Sequence, residues 1–561
     1  MVDSWKVFIL LFLIGFFVFS NSLNGEFVHD DLIVLSHSFF SQPGNIFSFF
    51  SQPYFEDFYQ AGLYRPLTQI SFVFNFLFGS SPFGFHLVNV LLHIINSFLV
   101  FLLVGRLVKS NLLALIAALL FLVLPIHVEA VTSIVGRAEL FSFFFGILTI
   151  LLWFDSRYFL SAISLLLALL SKESAVAVPA IVFFLNVSYR RGWRWLVWHL
   201  GATVLYFILR AIVLGRYAFE SKTEFIFNPL AYISFFERTF TALKILIMYI
   251  VKVFVPLNLS ADYSYDQIPI VVNLFSSPLA LTGLAFLGLM IWTGYRILFR
   301  GRYSVLDWLL IFFFIPFLVV SNIFFPIGTI MAERLMYLPS LGALMILAAA
   351  IDSAIKQSSK LSRQLGSASF ILLLVVYGFL TVNRNLVWAS REALLTDIFE
   401  KSPNSVVAKT EYGILVLNKD KGLAKRLSLE VYEKYPDYVQ NLNLRGAVEV
   451  QEGNLEEAEK FLERALELRP KHQNTLHNLS RVYFTLGKYQ KAEETLRVLA
   501  SEYGGTGNII FYALVQAKNG RFDQSRETLY GFFGPEIKDE SALQILRGEL
   551  KELENFYILG K

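Results

Sequence analysis

Residues 5–31 read WKVFILLFLIGFFVFSNSLNGEFVHDD, and this stretch decides the fold. As far as Ser20 it is almost wholly apolar and long enough to cross, or nearly cross, a hydrocarbon layer. It then turns polar at once and ends on two adjacent acids, Asp30 and Asp31. Neighbouring carboxylates at the edge of a bilayer are costly unless they are solvated, paired or used. Capping of the next short helix is one reading, since Asp accepts hydrogen bonds from free helix N–H groups. A catalytic acid or base at the membrane surface is the other.

The rest of the chain extends the pattern. Of its 561 residues 55% are hydrophobic, 57 are Phe, and the mean hydropathy is +0.56. A soluble protein of this size needs no such surface, so the chain reads as an integral membrane protein with many spans. The apolar segments are too many for a signal peptide ahead of a soluble domain, and the first carries no cleavage site, so it reads as retained. Cysteine is absent, which excludes disulfides, thiolate zinc sites and cysteine nucleophiles. A net charge of +4, with basic residues in short clusters between apolar segments, leaves no nucleic-acid footprint.

Composition divides the chain in two. Residues 1–390 form a polytopic membrane domain with about eleven spans, at 5–20, 85–105, 111–125, 138–154, 158–170, 174–188, 195–214, 275–296, 304–324, 335–352 and 367–381. The apolar stretch 229–256 carries Glu237, Arg238, Lys244 and Lys252 and reads as a re-entrant or surface helix. With it left out of the count, four basic gaps fall on the cytoplasmic side. They hold Arg106 and Lys109; Arg190, Arg191 and Arg194; Arg296, Arg300 and Arg302; and Lys356, Lys360 and Arg363. The loops 21–84, 126–137, 171–174, 215–274 and 325–334 then face the other side, and so does everything after the last span.

Residues 391–561 are polar, charged and repetitive. Gly453 and Gly487, Ala458 and Ala492, and Pro436 and Pro470 are each 34 residues apart. Small residues where two helices touch, with Pro closing each pair, follow the period of tetratricopeptide repeats. The signal is strong over 439–472 and 473–506 and weaker over 405–438 and 506–540, which makes three to four repeats. Gly520 stands one residue short of the next period. Such arrays build an α-solenoid with a concave binding face. The expected fold is all-α: a membrane helix bundle followed by that solenoid.

The outward loops collect the polar groups: His29-Asp30-Asp31, Arg65, His127 with Glu129, Arg137 with Glu139, Lys172-Glu173, Asp262 with Asp266, and Glu333-Arg334. Arginine's planar fork suits phosphate. A carboxylate suits deprotonation of a hydroxyl that attacks a sugar carbon. Each cluster also has a plain structural reading. Arg65 stands before a proline, Arg137 and Glu139 could pair with one another, and Asp262 and Asp266 could be surface residues of a Tyr-rich loop. His127 and Glu129 lack the helical spacing of a zinc protease motif.

Taken together, FVHDD at 27–31, YRPLT at 64–68, FGFHLVNVLLH at 83–93, LPIHVEAVTSIVGRAEL at 124–140, SKESAVAVP at 171–179, LSADYSYD at 259–266, AERLMYLPSLG at 332–342 and NRNLVW at 383–388 resemble one family. It is the transmembrane and tetratricopeptide-repeat-containing O-mannosyltransferases with their prokaryotic relatives, within the GT-C class of membrane glycosyltransferases. The resemblance covers nearly the whole chain. It implies a polyprenyl-phosphate sugar donor, mannose in the family pattern, inverting transfer onto an acceptor hydroxyl on the extracytoplasmic side, and a catalytic carboxylate in the acidic motif of the first loop. That motif maps onto Asp30, the expected general base, or Asp31.

Phosphate candidates are Arg65, Arg137, Lys172 and Arg334. Candidates for sugar or acceptor binding are His127, Glu129, Glu139, Asp262, Asp266 and Glu333, the acids serving also to hold the cations. No metal or other cofactor is required by this scheme, because cationic side chains can neutralise a single phosphate. The expected partners are the donor lipid, the surrounding membrane and a protein acceptor captured by the repeats. The expected location is the plasma (inner) membrane, or the endoplasmic reticulum in a eukaryote. Two rival readings fit part of the pattern: a non-enzymatic scaffold working through its repeats, and transfer onto a lipid or polysaccharide.

Overall fold

The computed structural model describes residues 3–36, 43–54, 62–219, 222–300 and 304–534, with scattered residues between 544 and 551. Arg302 and the expected end of the last repeat, 535–540, lie outside the described residues. Among the described residues every regular element is helical. The chain forms two compact units, Met1–Ser405 and Val406–Lys561.

The first unit opens with α1 (Ser4–Phe19), α2 (Asp31–Ser36), α3 (Pro66–Leu77), α4 (Pro82–Val108) and α5 (Asn111–Leu122). The one-turn α6 (Val128–Thr132) leads to α7 (Arg137–Phe154), α8 (Tyr158–Ser171), α9 (Ala177–Tyr189) and α10 (Arg194–Leu214). Then come α11 (Phe235–Phe254), α12 (Pro278–Arg300), α13 (Leu306–Leu309), α14 (Ile315–Val320), α15 (Ser340–Lys356), α16 (Lys360–Val387) and α17 (Arg391–Lys401). Local chemistry sets the boundaries. Proline, whose fixed φ suits a first turn, opens α3, α4 and α12. Ser110 and Ser390 accept from the first-turn amides of α5 and α17, and α11 carries a full capping box of Ser234 and Glu237.

Among the described residues six helices are long and apolar enough to cross a membrane: Ser4–Asn24 with its short extension, Pro82–Val108, Ile134–Phe154, Arg194–Ala218, Pro278–Arg300 and Lys360–Val387. The chain is a multi-pass membrane protein, but length and composition do not reach the expected eleven spans. The expected span at 111–125 runs into a second helical piece, Pro125–Thr132, bent 52° from it, where Pro125 removes a backbone donor. Tyr158–Ser171 and Glu173–Tyr189 are shorter apolar helices separated at Lys172, and Leu306–Val320 contains a π-helical turn over Leu310–Phe314. The expected span at 335–352 starts only at Ser340, because Glu333–Met336 forms a separate short turn. A hydropathy window smooths over such breaks. The charges Glu237, Arg238, Lys244 and Lys252 along α11 keep it out of the set of six.

The unit boundary falls at Ser405, later than the change of composition at 390. The reason is that α17, though polar, is tied to the end of α16 by an Arg384–Asp397 ion pair.

Among its described residues the second unit forms four antiparallel helix pairs: α18 (Val406–Val416) with α19 (Lys421–Lys434), α20 (Val439–Glu452) with α21 (Leu455–Leu468), α22 (Gln473–Thr485) with α23 (Tyr489–Tyr503), and α24 (Thr506–Lys518) with α25 (Phe522–Phe533). Gly453, Gly487 and Gly520 form the hairpin turns of the last three pairs with φ of 84°, 73° and 77°, which disfavours any residue with a Cβ. Ala458, Leu462, Leu479, Ala492 and Leu496 are fully buried in the shared core. Ion pairs Lys425–Glu452, Lys488–Glu459 and Arg521–Glu493 join successive pairs.

Candidate active site

The two acids of the first loop have opposite surroundings. Asp31 opens α2 and is fully buried. Its Oδ1 accepts from Ser133 Oγ and the Val135 amide, both at 3.1 Å, and its Oδ2 accepts from the Val28 amide at 3.4 Å. It pins the first loop to the turn between α6 and α7. Burial pushes its pKa up to about 7, against these hydrogen bonds. Asp30 turns the other way. Its Oδ1 lies 3.0 Å from His29 Nδ1, and both side chains remain nearly half accessible, at 47% and 45%. Burial among surrounding protein pushes Asp30 up, but the charge and hydrogen bond of His29, with Arg334 further off, outweigh it and hold the carboxyl below the usual range. Asp30 in turn raises the His29 imidazole to about 9.

Around this pair lies a layer of opposite charges. Arg65, just before α3, makes a forked contact to Glu173, with Nε at 3.0 Å and Nη2 at 2.9 Å from Oε2. Lys172, between α8 and α9, is paired with Glu139 on the first turn of α7. Arg334 is paired through Nη1 with Glu129 on α6, and its backbone N–H donates to the other Glu129 oxygen at 2.9 Å. Glu333 is buried, accepting from the Ser260 amide at 2.6 Å and Tyr263 Oη at 2.7 Å, with Arg384 3.7 Å away. Burial pushes Glu333 up to about 7. The pairs are close enough to act on one another: Arg334 lies within the field of Asp30 and Glu139, Lys172 within that of Arg65 and Arg334, and Glu333 within that of Glu129. Loops separated by up to three hundred residues thus meet in one continuous polar layer.

The candidates divide by access. Arg334 keeps 34% of its side chain accessible and Arg65 15%, whereas Lys172 and Glu139 are below a tenth. Arg137 is fully buried. It donates to Asn89 Oδ1 at 2.8 Å, Asn75 Oδ1, Ser71 O at 3.2 Å and Phe85 O at 3.0 Å, and stacks on Phe72 and Phe85. Every face of its guanidinium is occupied, so it holds α3, α4 and α7 together and is not open to a donor phosphate. His127 is likewise a core residue, between Phe121 O at 3.0 Å and Ser340 Oγ at 2.8 Å, against His93 and Tyr337. Glu129 and Glu333 hold cations and are not open to a sugar. Asp262 accepts from the Ser264 amide at 3.3 Å and from Ser405 Oγ at 2.6 Å, which fastens its loop to the segment after α17. Asp266, half-buried in the same loop, donates its amide to Asn404 O at 3.4 Å. Among the described residues no three His, Asp or Glu side chains stand together as metal ligands would.

Sequence reasoning placed His29 in the acidic cluster but gave it no role beside Asp30, and it passed over Arg384, the shared partner of Glu333 and Asp397. A signal for Arg384 was present: a charged residue inside the last apolar helix needs a partner. For His29 the signal is its backbone, left-handed at φ 53°, which the sequence does not announce.

Residues 428–499 match a family model described as tetratricopeptide repeat. Three relatives span both regions. Protein O-mannosyl-transferase TMTC1 of Mus musculus is 26% identical over 76% of this chain and 58% of its own length. Protein O-mannosyl-transferase Tmtc3 of Drosophila melanogaster is 25% identical over 77% and 51%, and Protein O-mannosyl-transferase TMTC1 of Homo sapiens 27% over 76% and 55%. This chain therefore spans little more than half the length of the curated relatives it matches. Over about three quarters of its length the chain is thus similar to these three proteins, and its repeats match the tetratricopeptide model.

Proposed function

We propose that this chain is a membrane glycosyltransferase. It moves a sugar, mannose by the names of its relatives, from a polyprenyl-phosphate donor to a hydroxyl of a protein acceptor. One observation carries the reading. Of two adjacent acids, one is buried and fully engaged, while the other stays accessible beside a partly accessible arginine, Arg334. Asp30 is then the general base and Asp31 its structural anchor.

In this scheme the acceptor oxygen attacks the sugar's anomeric carbon and gives its proton to Asp30. The carbon–oxygen bond to phosphate breaks, and its electron pair leaves with the phosphate. A single displacement inverts the anomeric centre. Arg334 and Arg65 face the departing charge, and their paired acids fix them beforehand, so little reorganisation is needed as charge develops. Phosphate is a good leaving group, so no strong acid is needed there. The repeats raise the local concentration of an extended acceptor segment. That role needs them on the same side of the membrane as Asp30: outside the plasma membrane of a prokaryote, or in the endoplasmic-reticulum lumen of a eukaryote.

The test is transfer from labelled polyprenyl-phosphate mannose to membrane and soluble protein, with the wild-type chain, Asp30→Asn and Asp31→Asn. Asp30→Asn should lower transfer by on the order of 10²–10⁴-fold at normal expression, the usual range for a positioned acid–base group. Asp31→Asn should retain part of it. Equal activity of Asp30→Asn and wild type sinks the base assignment. Incorporation into lipid or polysaccharide instead of protein redirects the acceptor.

A further inference from the structure

We propose that His29 is a positioning residue of this site, holding the Asp30 carboxylate through Nδ1 so that His29 and Asp30 work as a pair. The inference rests on the reading of Asp30 as the base. Three observations carry it. First, consecutive side chains of an extended segment point apart, yet those of His29 and Asp30 meet at 3.0 Å. Second, the meeting depends on a left-handed backbone at His29, φ 53°, which few residues other than Gly, Asn, Asp and His adopt readily. Third, neither side chain is packed away: each is nearly half accessible, so the contact does not serve core packing. Asp31, one residue on, is fully buried and engaged elsewhere. The loop therefore spends an unusual backbone conformation on an accessible ion pair.

The geometry divides the labour at the carboxylate. Oδ1 is engaged by the imidazole, which leaves Oδ2 for the acceptor's proton. As the acceptor oxygen bonds to the anomeric carbon and the carbon–phosphate oxygen bond breaks, that proton moves to Oδ2, while the imidazole keeps its own. Among the described residues, the titratable and charged groups acting on His29 are Asp30, Arg334 and Asp262, and those that interact with Asp30 are His29, Arg334, Asp31 and Tyr54. A cation within this distance lowers a carboxyl's pKa by about one to three units. His29 thus keeps Asp30 ionised, and able to accept, into acidic solution.

The experiment compares the pH profile of transfer by the full-length wild-type chain and His29→Asn in lipid nanodiscs. Asn tolerates a left-handed backbone but carries no charge. Loss of the cation makes Asp30 harder to ionise, so the acid limb of kcat should move to higher pH by about one to three units. Since His29 acts through Asp30, kcat should fall at neutral pH while the donor KM stays. His29→Gly, which adopts the same backbone freely, should do the same and serves if the Asn variant folds poorly. An acid limb unmoved in a folded variant overturns the proposal. Should the wild-type chain transfer no mannose, the functional reading fails separately, and the pair is then read directly. In chain labelled at aspartate ¹³Cγ, with Asp30 identified by the signal lost in Asp30→Asn, the Asp30 midpoint should lie higher in His29→Asn than in wild type. Equal midpoints also overturn the proposal.

Discussion

Asp31 can be tested by stability, independently of any activity. Its ordinary pKa is 3.8, and burial pushes it up to about 7 in the folded chain. Each tenfold change in acidity is worth about 1.4 kcal/mol, so ionising Asp31 destabilises the fold by on the order of 4 kcal/mol. The direction follows from linkage: a group that holds its proton more tightly when folded stabilises most below its unfolded pKa and loses that contribution as pH rises to its folded value. Stability of the first unit should therefore fall between about pH 4 and pH 7. Glu333, pushed up from 4.5 to about 7 by burial, acts in the same direction and adds on the order of 3 kcal/mol. Asp30, held below the usual range, acts in the opposite sense and only at more acidic pH. Asp31→Asn keeps an acceptor oxygen for Ser133 and Val135 and removes the charge. It should make the first unit more stable at pH 7.5 and abolish about half of the fall. All eight tryptophans lie at or before Trp388, so their fluorescence reports on the first unit alone as the chain is titrated with a denaturing detergent in mixed micelles. A fall of unchanged size in Asp31→Asn would show that Asp31 is solvated in the folded protein, and would remove the contrast on which the choice of Asp30 rests.

Three further outcomes are expected. Arg137→Met leaves the amide oxygens of Asn75 and Asn89 unpaired in a buried site, so it should destabilise the first unit by roughly 3–5 kcal/mol; a folded variant with weakened donor binding would instead put Arg137 in contact with the donor. Gly446→Val would set a Cβ within 2.7 Å of Leu462 Cγ, overpacking α20 against α21 by about 1–3 kcal/mol, visible as faster amide exchange in 439–468 of the full chain and absent if that interface is loose. Glu129 acts through Arg334, so Glu129→Gln should raise the donor KM in wild type yet add little to Arg334→Met; additive effects of the two would separate them.

How much of this was legible in the sequence depends on the kind of signal each residue leaves. The repeats were legible because their turns demand glycine at a fixed period, and Gly453, Gly487 and Gly520 all adopt a positive φ. The acidic pair was legible because two carboxylates beside an apolar helix are rare. Which charge meets which was not. Helices apolar on every side carry no periodicity that tells one face from another. Nothing local distinguishes Arg137, which sits among amides on α3 and α4, from Arg334, which sits beside Asp30. His127 and Glu129, two residues apart, looked like one cluster, yet the first is sealed among aromatics and the second meets Arg334. The count of eleven spans is not confirmed for a similar reason: hydropathy adds up residues and does not see the bend at Pro125 or the interruption at Lys172.

The energetics of the polar layer argue that it is kept for something other than stability. A buried ion pair gains in Coulomb energy about what it loses in hydration, and apolar replacement is often neutral or stabilising. A membrane protein, whose apolar side chains are abundant, has such replacements at hand. Yet Arg65–Glu173, Lys172–Glu139, Arg334–Glu129 and Arg384–Glu333 are all drawn from loops or helix ends and gathered within reach of one another. Pairing also solves a problem that a site for an anionic lipid must face. Unpaired arginines at that depth would be expensive in the empty protein, and arginines buried with their acids would be useless to a ligand. Arg334 and Arg65 stand between these limits: one side of each guanidinium is held by a carboxylate and part of the other stays accessible. In the proposed reaction an incoming phosphate meets cations already oriented by their acids, and Asp30, a carboxylate of this layer left nearly half accessible, remains to receive a proton.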